Sequence, residues 1–455
     1  MIDIKLISYS ATDPVELASH AALKCYQAEN PKWGKLIDVE NRLFKVGHHT
    51  TLQHSFFTFS IENIAVGDIT FGMHLTHPFY NSDQRSGRYC AKMFLEPDFG
   101  KIENYIKKFW PEVKVNNRKK IVDYIKRGVK IYHSNVFEAS RISEKLLKKE
   151  RPHVNEKYLE MTAPKIAQEQ MRMFIPLIFP TGFDFTINLT ALAALYRSSW
   201  TPSMRYIIDR MAEEVTKKFP NISFMFDKKE RKNFNWQIKI PKSSSVGIKY
   251  KPSHRLLRIE GENDFIIPKV EDMHPVDLLH FKPDMMNNAT AEFITEIEIS
   301  GATMGQDQRH RTIRRSEPKF TGSFYMPPIL REMKLEKEAL SLMKEWISVS
   351  KNISGTLAMV IAPYGAMVGY KKAGSMNAIA HEQAKRLCWC AQEEIYHAGR
   401  ALRLGIEKKK GKKSKLLAMF EPPCYQTGKC AEGGRYCGRD LKIRKTGNYF
   451  PERKV

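Results

Sequence analysis

Residues 308–316, QRHRTIRRS, set four arginines and a histidine within nine positions. Guanidinium groups stay protonated and bond phosphate oxygens in pairs, so such a run reads as a seat for a phosphorylated ligand. Neighbouring arginines also repel one another unless an anion lies between them. An earlier stretch, residues 76–89, THPFYNSDQRSGRY, has the opposite balance. Thr76, His77 and Pro78 stand where the later run has Arg309, His310 and Arg311, but Gln84, Arg85, Ser86, Gly87 and Arg88 follow. Ser86 and Arg88, two apart in an extended segment, face one side, and Gly87 between them lets backbone donors approach a phosphate. That pattern suits a monophosphate clamp.

The elements that must position these residues form a repeated order. "FITEIEISGATMGQDQRHR" follows the strand-then-motif order of "FFTFSIENIAVGDITFGMHLTH". The segment around Pro363 and Ser375 matches that around Pro176 and Asn188, both at an offset of 187, whereas Thr76 matches Arg309 at 233. A diverged internal duplication is expected, with a longer helical insert in the first copy. Apolar spacing predicts helices over 118–149, 164–174 and 189–215, and the lysine- and serine-rich stretch 228–253 reads as a boundary with one or two strands. The expected fold is α+β: two fused domains, 1–225 and 226–420, each a twisted sheet with long helices, and a small cysteine-containing tail, 421–455.

Composition bounds the partners. The 455 residues hold 74 Lys and Arg against 50 Asp and Glu, a net charge of +24. Polyanionic partners such as nucleotides, cofactor phosphates or nucleic acid follow. The longest apolar stretch, residues 356–370, is broken by Pro363 and Gly365 and falls short of the roughly 20 residues of a membrane span, so no membrane association is expected. With no apolar leader at residues 1–10, a cytoplasmic location is the expectation.

The motifs resemble those of the flavin-dependent thymidylate synthase (ThyX) family, whose signature reads R-H-R-x-x-S-x-N-x-x-S-x-R. Each half carries a different part. The second half has Gln306, Arg309, His310 and Arg311, but Lys319 and Thr321 replace the later Ser and Arg; the first half has Ser86, Gly87, Arg88 and Tyr89 in register. "GHHTTLQHSFFTF" resembles the family's G-H-x-[ST]-x-x-x-H segment near the flavin and supplies His48, Thr50 and His54. Arg172, four residues before Pro176, matches a substrate-binding arginine, and the second half has Met359 there. Arg386, five residues before "AQEEI", matches the arginine that approaches the pyrimidine, and the first half has Ser199.

The resemblance implies reductive methylation of dUMP to dTMP, with methylenetetrahydrofolate as one-carbon donor, FAD carrying hydride and NADPH as reductant. It implies a substrate set of Gln84, Arg85, Ser86, Gly87, Arg88, Arg172, Gln306, Arg309 and Arg386, with Arg386 catalytic. For the flavin it implies His48, Thr50, Arg309, His310, Arg311, Ser375, Asn377 and His381. Family members are tetramers with sites assembled from several subunits, so the implied assembly is a homodimer mimicking that tetramer, with two composite sites complete and two decayed. Two alternatives stay open: one-carbon transfer to another pyrimidine, such as dCMP or a nucleic-acid base, and a non-catalytic nucleotide-binding protein. The lysine run at 407–415 reads as a solvated link, with nucleic-acid contact not favoured.

The tail stands apart. Cys424, Cys430 and Cys437 sit among glycines in a chain of seven cysteines, an odd number. Three thiolates converging on zinc or an iron–sulfur cluster, with Cys388, Cys390 or His397 as fourth ligand, and plain thiols are the two readings.

Overall fold

The computed structural model describes residues 2–75, 80–87, 90, 92–152, 154–232, 236–261, 285–422, 424–425, 428–430, 436–437 and 450–455. Its strands are β1 (Asp3–Tyr9), β2 (Phe56–Ala65), β3 (Tyr80–Gln84), β4 (Pro180–Asn188), β5 (Gly247–Lys249), β6 (Ser253–Glu260), β7 (Glu292–Ser300), β8 (Arg314–Arg315), β9 (Lys319–Tyr325) and β10 (Ala366–Ser375). The first four make one sheet in the order β1-β2-β4-β3, and the rest a second sheet, β5-β9-β10-β7-β6, with β8 added to β10. All described pairings are antiparallel except β5 with β9.

Alternation builds the central strands. Phe57, Phe59 and Ile61 of β2 and Phe293, Ile297 and Ile299 of β7 are buried on one face each, the period of two that a half-covered sheet requires. Both strands run directly into a helix, Val66–Thr70 after β2 and Gly301–Asp307 after β7. The strands β4 and β10 do the same, into Leu189–Ser198 and Met376–Arg386. Asn188 and Ser375, matched by the offset of 187, are both N-caps: Asn188 accepts from the Ala191 N–H at 2.8 Å and Ser375 from the Ala378 N–H at 3.2 Å.

The halves meet at the matched prolines. Pro176 and Pro363 form an isolated antiparallel bridge. Leu177 N–H donates to Ala362 O and Tyr364 N–H to Ile175 O, each at 2.8 Å. Adding 187 to one half of this pair of bonds gives the other, a two-fold-like junction. One continuous core crosses it, holding Phe174 and Leu177 with Phe324, Trp346 and Val360.

The helix Val115–Glu150 spans 36 residues, about 54 Å at 1.5 Å per residue, and packs on Glu156–Met171. Two expectations are corrected. The second helix begins at Glu156, capped by Asn155, and carries Pro164 inside it. Pro164 lies on the exposed face, where water takes over the carbonyl that its missing N–H leaves open. The periodic stretch 189–215 is two helices, Leu189–Ser198 and Pro202–Lys218, because Thr201 caps and Pro202 starts the second. No helix among the described residues is long and apolar enough to cross a membrane.

Candidate active site

Four polar side chains from the two halves join in one chain. Arg172 ends the helix Glu156–Met171 and is 4% exposed; its Nη2 donates to Gln392 Oε1 at 3.1 Å. Gln306 Nε2, near the end of the short helix after β7, donates to the same oxygen. Arg386, closing the helix after β10, donates from Nη2 to the Gln306 carbonyl at 2.5 Å. Gln392 is thus the joint between the first-half arginine and the second-half pair.

The clamp segment reaches the same place. A Cβ added at Gly87 would lie 3.2 Å from Arg172 Nη1 and 3.8 Å from the Tyr364 hydroxyl. Gln168 Nε2 holds the Gly87 carbonyl at 3.0 Å. A side chain at this position would therefore crowd the Arg172 guanidinium by a few tenths of an ångström. Arg172 also lies over the Tyr364 ring, 5.4 Å from its centroid. Ser86 is half-buried beside it and Gln84 ends β3, paired with Phe183. Thr76, His77, Pro78, Arg88 and Tyr89 lie outside the described residues.

The arginine run divides differently from its sequence reading. Arg311 donates across the halves to Asn81 Oδ1 at 3.0 Å and to Ser82 O at 2.8 Å. Arg314 pairs with Glu292. Arg315 is buried against Asp307, its Nε 2.6 Å from Oδ2, and Lys372 Nζ reaches Oδ1 of the same carboxylate at 2.5 Å and Glu382 at 2.5 Å. Burial works to raise the Asp307 carboxyl, but Arg315 and Lys372 overcome it and hold it well below the carboxylate range. An anion shared among all four arginines is thus not needed. Arg309 alone of them is exposed with no side-chain hydrogen bond or ion pair among the described residues.

Arg85 is taken up in a similar way, closing bidentate on Glu62 at 2.9 and 3.1 Å. His310 is 6% exposed, with neither ring nitrogen bonded, and meets His381 edge to face at 5.4 Å. Burial, then Arg386, holds His310 neutral, well below the usual histidine value. Ser375 serves as the helix cap described above, and Asn377 is buried with Nδ2 on Met285 O at 3.2 Å and its Oδ1 unbonded. His48 and Thr50 are exposed beside Gly47, whose φ of +86° requires glycine, in a turn packed on the helices Pro14–Tyr26 and Leu189–Ser198.

Sequence reasoning missed the joint role of Gln392, the buried Tyr364 ring under Arg172 and the Asp307–Lys372–Glu382 lattice. Asp307 was visible as the one acid within "QDQRHR"; its partners, 65 and 75 residues away, were not. The acids after Gln392 are also buried. Burial pushes Glu393 up to about 8 and Glu394 up to about 7, although Tyr325 donates to the first and Ser300 and Thr303 to the second.

In the tail, Cys424, Cys430 and Cys437 line one cavity of about 20 Å³ with Cys388 and Cys390. None of the seven cysteines is disulfide-bonded. As placed, no group of three His, Cys, Asp or Glu side chains among the described residues is set to hold a metal ion. His397 is excluded from the fourth-ligand role expected of it, because Nδ1 lies 3.2 Å from Glu393 and Nε2 accepts the Arg453 N–H at 3.2 Å.

A mixed helix-and-sheet fold with guanidinium groups from both halves around a glutamine pair is an anion-binding arrangement. Residues 5–221 match the family model described as "Thymidylate synthase complementing protein". A crystal structure of thymidylate synthase X from Helicobacter pylori with FAD and dUMP is 16% identical, covering 51% of this chain and 100% of its own, at a TM-score of 0.30. A second H. pylori ThyX structure complexed with FAD and dUMP is 19% identical over 50% of this chain and 100% of its own, at 0.32. No curated protein matches the chain.

Proposed function

We propose that the protein is a flavin-dependent thymidylate synthase whose pyrimidine site is shared by two complementary halves of one chain. The observation that carries this is the chain Arg172–Gln392–Gln306–Arg386, in which each half supplies what the other lacks. The two-fold-like bonds at Pro176 and Pro363 support descent from a duplication.

In this reading dUMP lies with its phosphate toward Arg172 and the 84–88 segment, and its ring toward Arg386. Arg172 Nη2 is held by Gln392, and Nη1 lies beside Gly87 on the side where the phosphate would sit. Arg386 donates from Nη2 to the Gln306 carbonyl, and its guanidinium charge would stabilise the ring oxygen as the N3 proton leaves. That charge makes C5 the nucleophile, so no enzyme nucleophile is required. Arg85 joins the substrate set only by leaving Glu62.

The residues present fit a flavin dinucleotide. Arg309 is exposed and open for a diphosphate, and His310 is buried with both ring nitrogens unbonded, an orphaned pair of polar atoms beside His381. Arg309, His310, His381 and Asn377 would hold it, with residues 48–50 of a second copy completing the site in a homodimer. When bound, FAD supplies hydride transfer, with NADPH as reductant and methylenetetrahydrofolate as one-carbon donor.

The test is the visible spectrum of the purified protein, followed by anaerobic bleaching with NADPH with and without dUMP. A yellow protein bleached by NADPH, with dUMP altering the rate and dCMP not, is expected. A colourless protein that cannot be loaded with FAD overturns the reading.

A further inference from the structure

Five of the chain's seven cysteines surround one small cavity, although they come from two distant segments. Cys388 and Cys390 sit on the loop between the helices Met376–Arg386 and Glu393–Lys410; Cys424, Cys430 and Cys437 come from the tail. The rest of the lining includes Leu387, Trp389, Pro422 and Tyr425, with no carboxylate and no lysine. The backbone N–H of Cys390 donates to Cys388 Sγ at 3.5 Å, the kind of bond that orients a sulfur as a metal ligand.

Two buried arginines flank the cavity, with Glu150 within their electrostatic reach. Arg151 and Arg453 are each 3% exposed, both donate to the Trp389 carbonyl, and each lies within 6 Å of the Trp389 ring. Two buried guanidinium groups converging on one peptide next to a thiol-lined cavity favour further negative charge there, beyond that of Glu150. The tail's own apolar cluster is Leu387, Tyr425 and Phe450, while residues 450–455 are held by hydrogen bonds such as Tyr396 Oη to Pro451 O and Gln170 Nε2 to Lys454 O, each at 2.8 Å. Units this small are commonly stapled by a metal.

We propose that Cys388, Cys424, Cys430 and Cys437 bind one zinc ion as a tetrathiolate, which staples the tail to the loop 387–392. Four soft sulfur donors select zinc over harder ions, and about 20 Å³ accommodates a single ion rather than a multi-iron cluster. As placed, the side chains do not yet form a metal-holding group. Ligation draws the sulfurs to about 2.3 Å from the ion while each thiol releases its proton to solvent, and no electron is transferred. The centre then carries two formal negative charges, which Arg151 and Arg453 offset. Cys390 serves through its N–H.

This loop begins after Arg386 and ends at Gln392, so the ion would also fix the spacing of two groups in the proposed pyrimidine site. That consequence rests on the reading given under Proposed function; the zinc itself does not.

The experiment is metal analysis of the full chain purified anaerobically under reducing conditions. About one zinc per chain is expected, absent from C388S, C424S and C437S and retained in C25S and C390S. Cobalt(II) substitution of the wild-type chain checks the site without mutation, with a thiolate-to-cobalt charge-transfer band as the expected result. Removing zinc with a chelator after thiol modification should also weaken dUMP binding about tenfold. Wild-type protein without stoichiometric zinc and without the cobalt band overturns the site, as does stoichiometric iron. Zinc present with unchanged dUMP affinity overturns only the coupling to the pyrimidine site.

Discussion

Arg172 is held by Gln392 and Arg386 by the Gln306 carbonyl in the proposed pyrimidine site, which makes them the residues on which nucleotide affinity should depend most. Replacing Arg172 with lysine keeps the charge but loses the fork that bonds Gln392 and a phosphate together. A rise of about 10- to 100-fold in the dUMP dissociation constant is expected by calorimetry, with FAD loading unchanged. Gly87→Ala should act on the same group from the other side, because its Cβ crowds Arg172 Nη1 at 3.2 Å. An unchanged dUMP affinity in Gly87→Ala would remove the clamp from this position. Asp307 belongs to a different class: it touches no open space and balances Arg315 and Lys372. Asp307→Asn leaves two buried cations short of a partner and should cost about 3–5 kcal/mol of stability by denaturant titration.

At the scale of elements, the helix Glu393–Lys410 places two buried acids in its first turn. A helix N-terminus favours their ionised forms, but burial wins and raises Glu393 from 4.5 to about 8. A carboxyl raised on folding stabilises the protein fully below its unfolded value, and that contribution is lost as pH rises through the folded value. Stability should therefore decline between about pH 4.5 and 8, and Glu393→Gln should flatten that decline. A decline of the same slope in the variant would assign it to other groups. The capping pair provides a second check on the elements. Asn188→Ala and Ser375→Ala should each cost about 1 kcal/mol, since each removes the side-chain acceptor from an equivalent helix start.

The elements were more legible than their limits. Period-two alternation marked β2 and β7, and the helix Val115–Glu150 follows from its apolar spacing. The exposed Pro164 inside a helix was not legible, because solvent exposure of one carbonyl decides its tolerance and a linear pattern does not carry it. Within the site, residue types were legible and pairings were not. Arg309 and Arg315 look alike in "QRHRTIRRS", yet only Arg315 has a buried carboxylate within reach, supplied by a turn of chain that brings Asp307 back to it. Gln392 stood at a motif position without a role until Arg172 and Gln306 both met its oxygen.

Over the whole molecule, the matched offset of 187 falls on the prolines that bridge the halves and on the residues that cap equivalent helices. The sharing of one site between dissimilar halves is the central claim, and the number of nucleotides bound per chain tests it most directly. Calorimetric titration of the FAD-loaded protein with dUMP should give one site per chain, lost both in Arg172→Ala and in Arg386→Ala. Two sites per chain, or full binding in either variant, would contradict it.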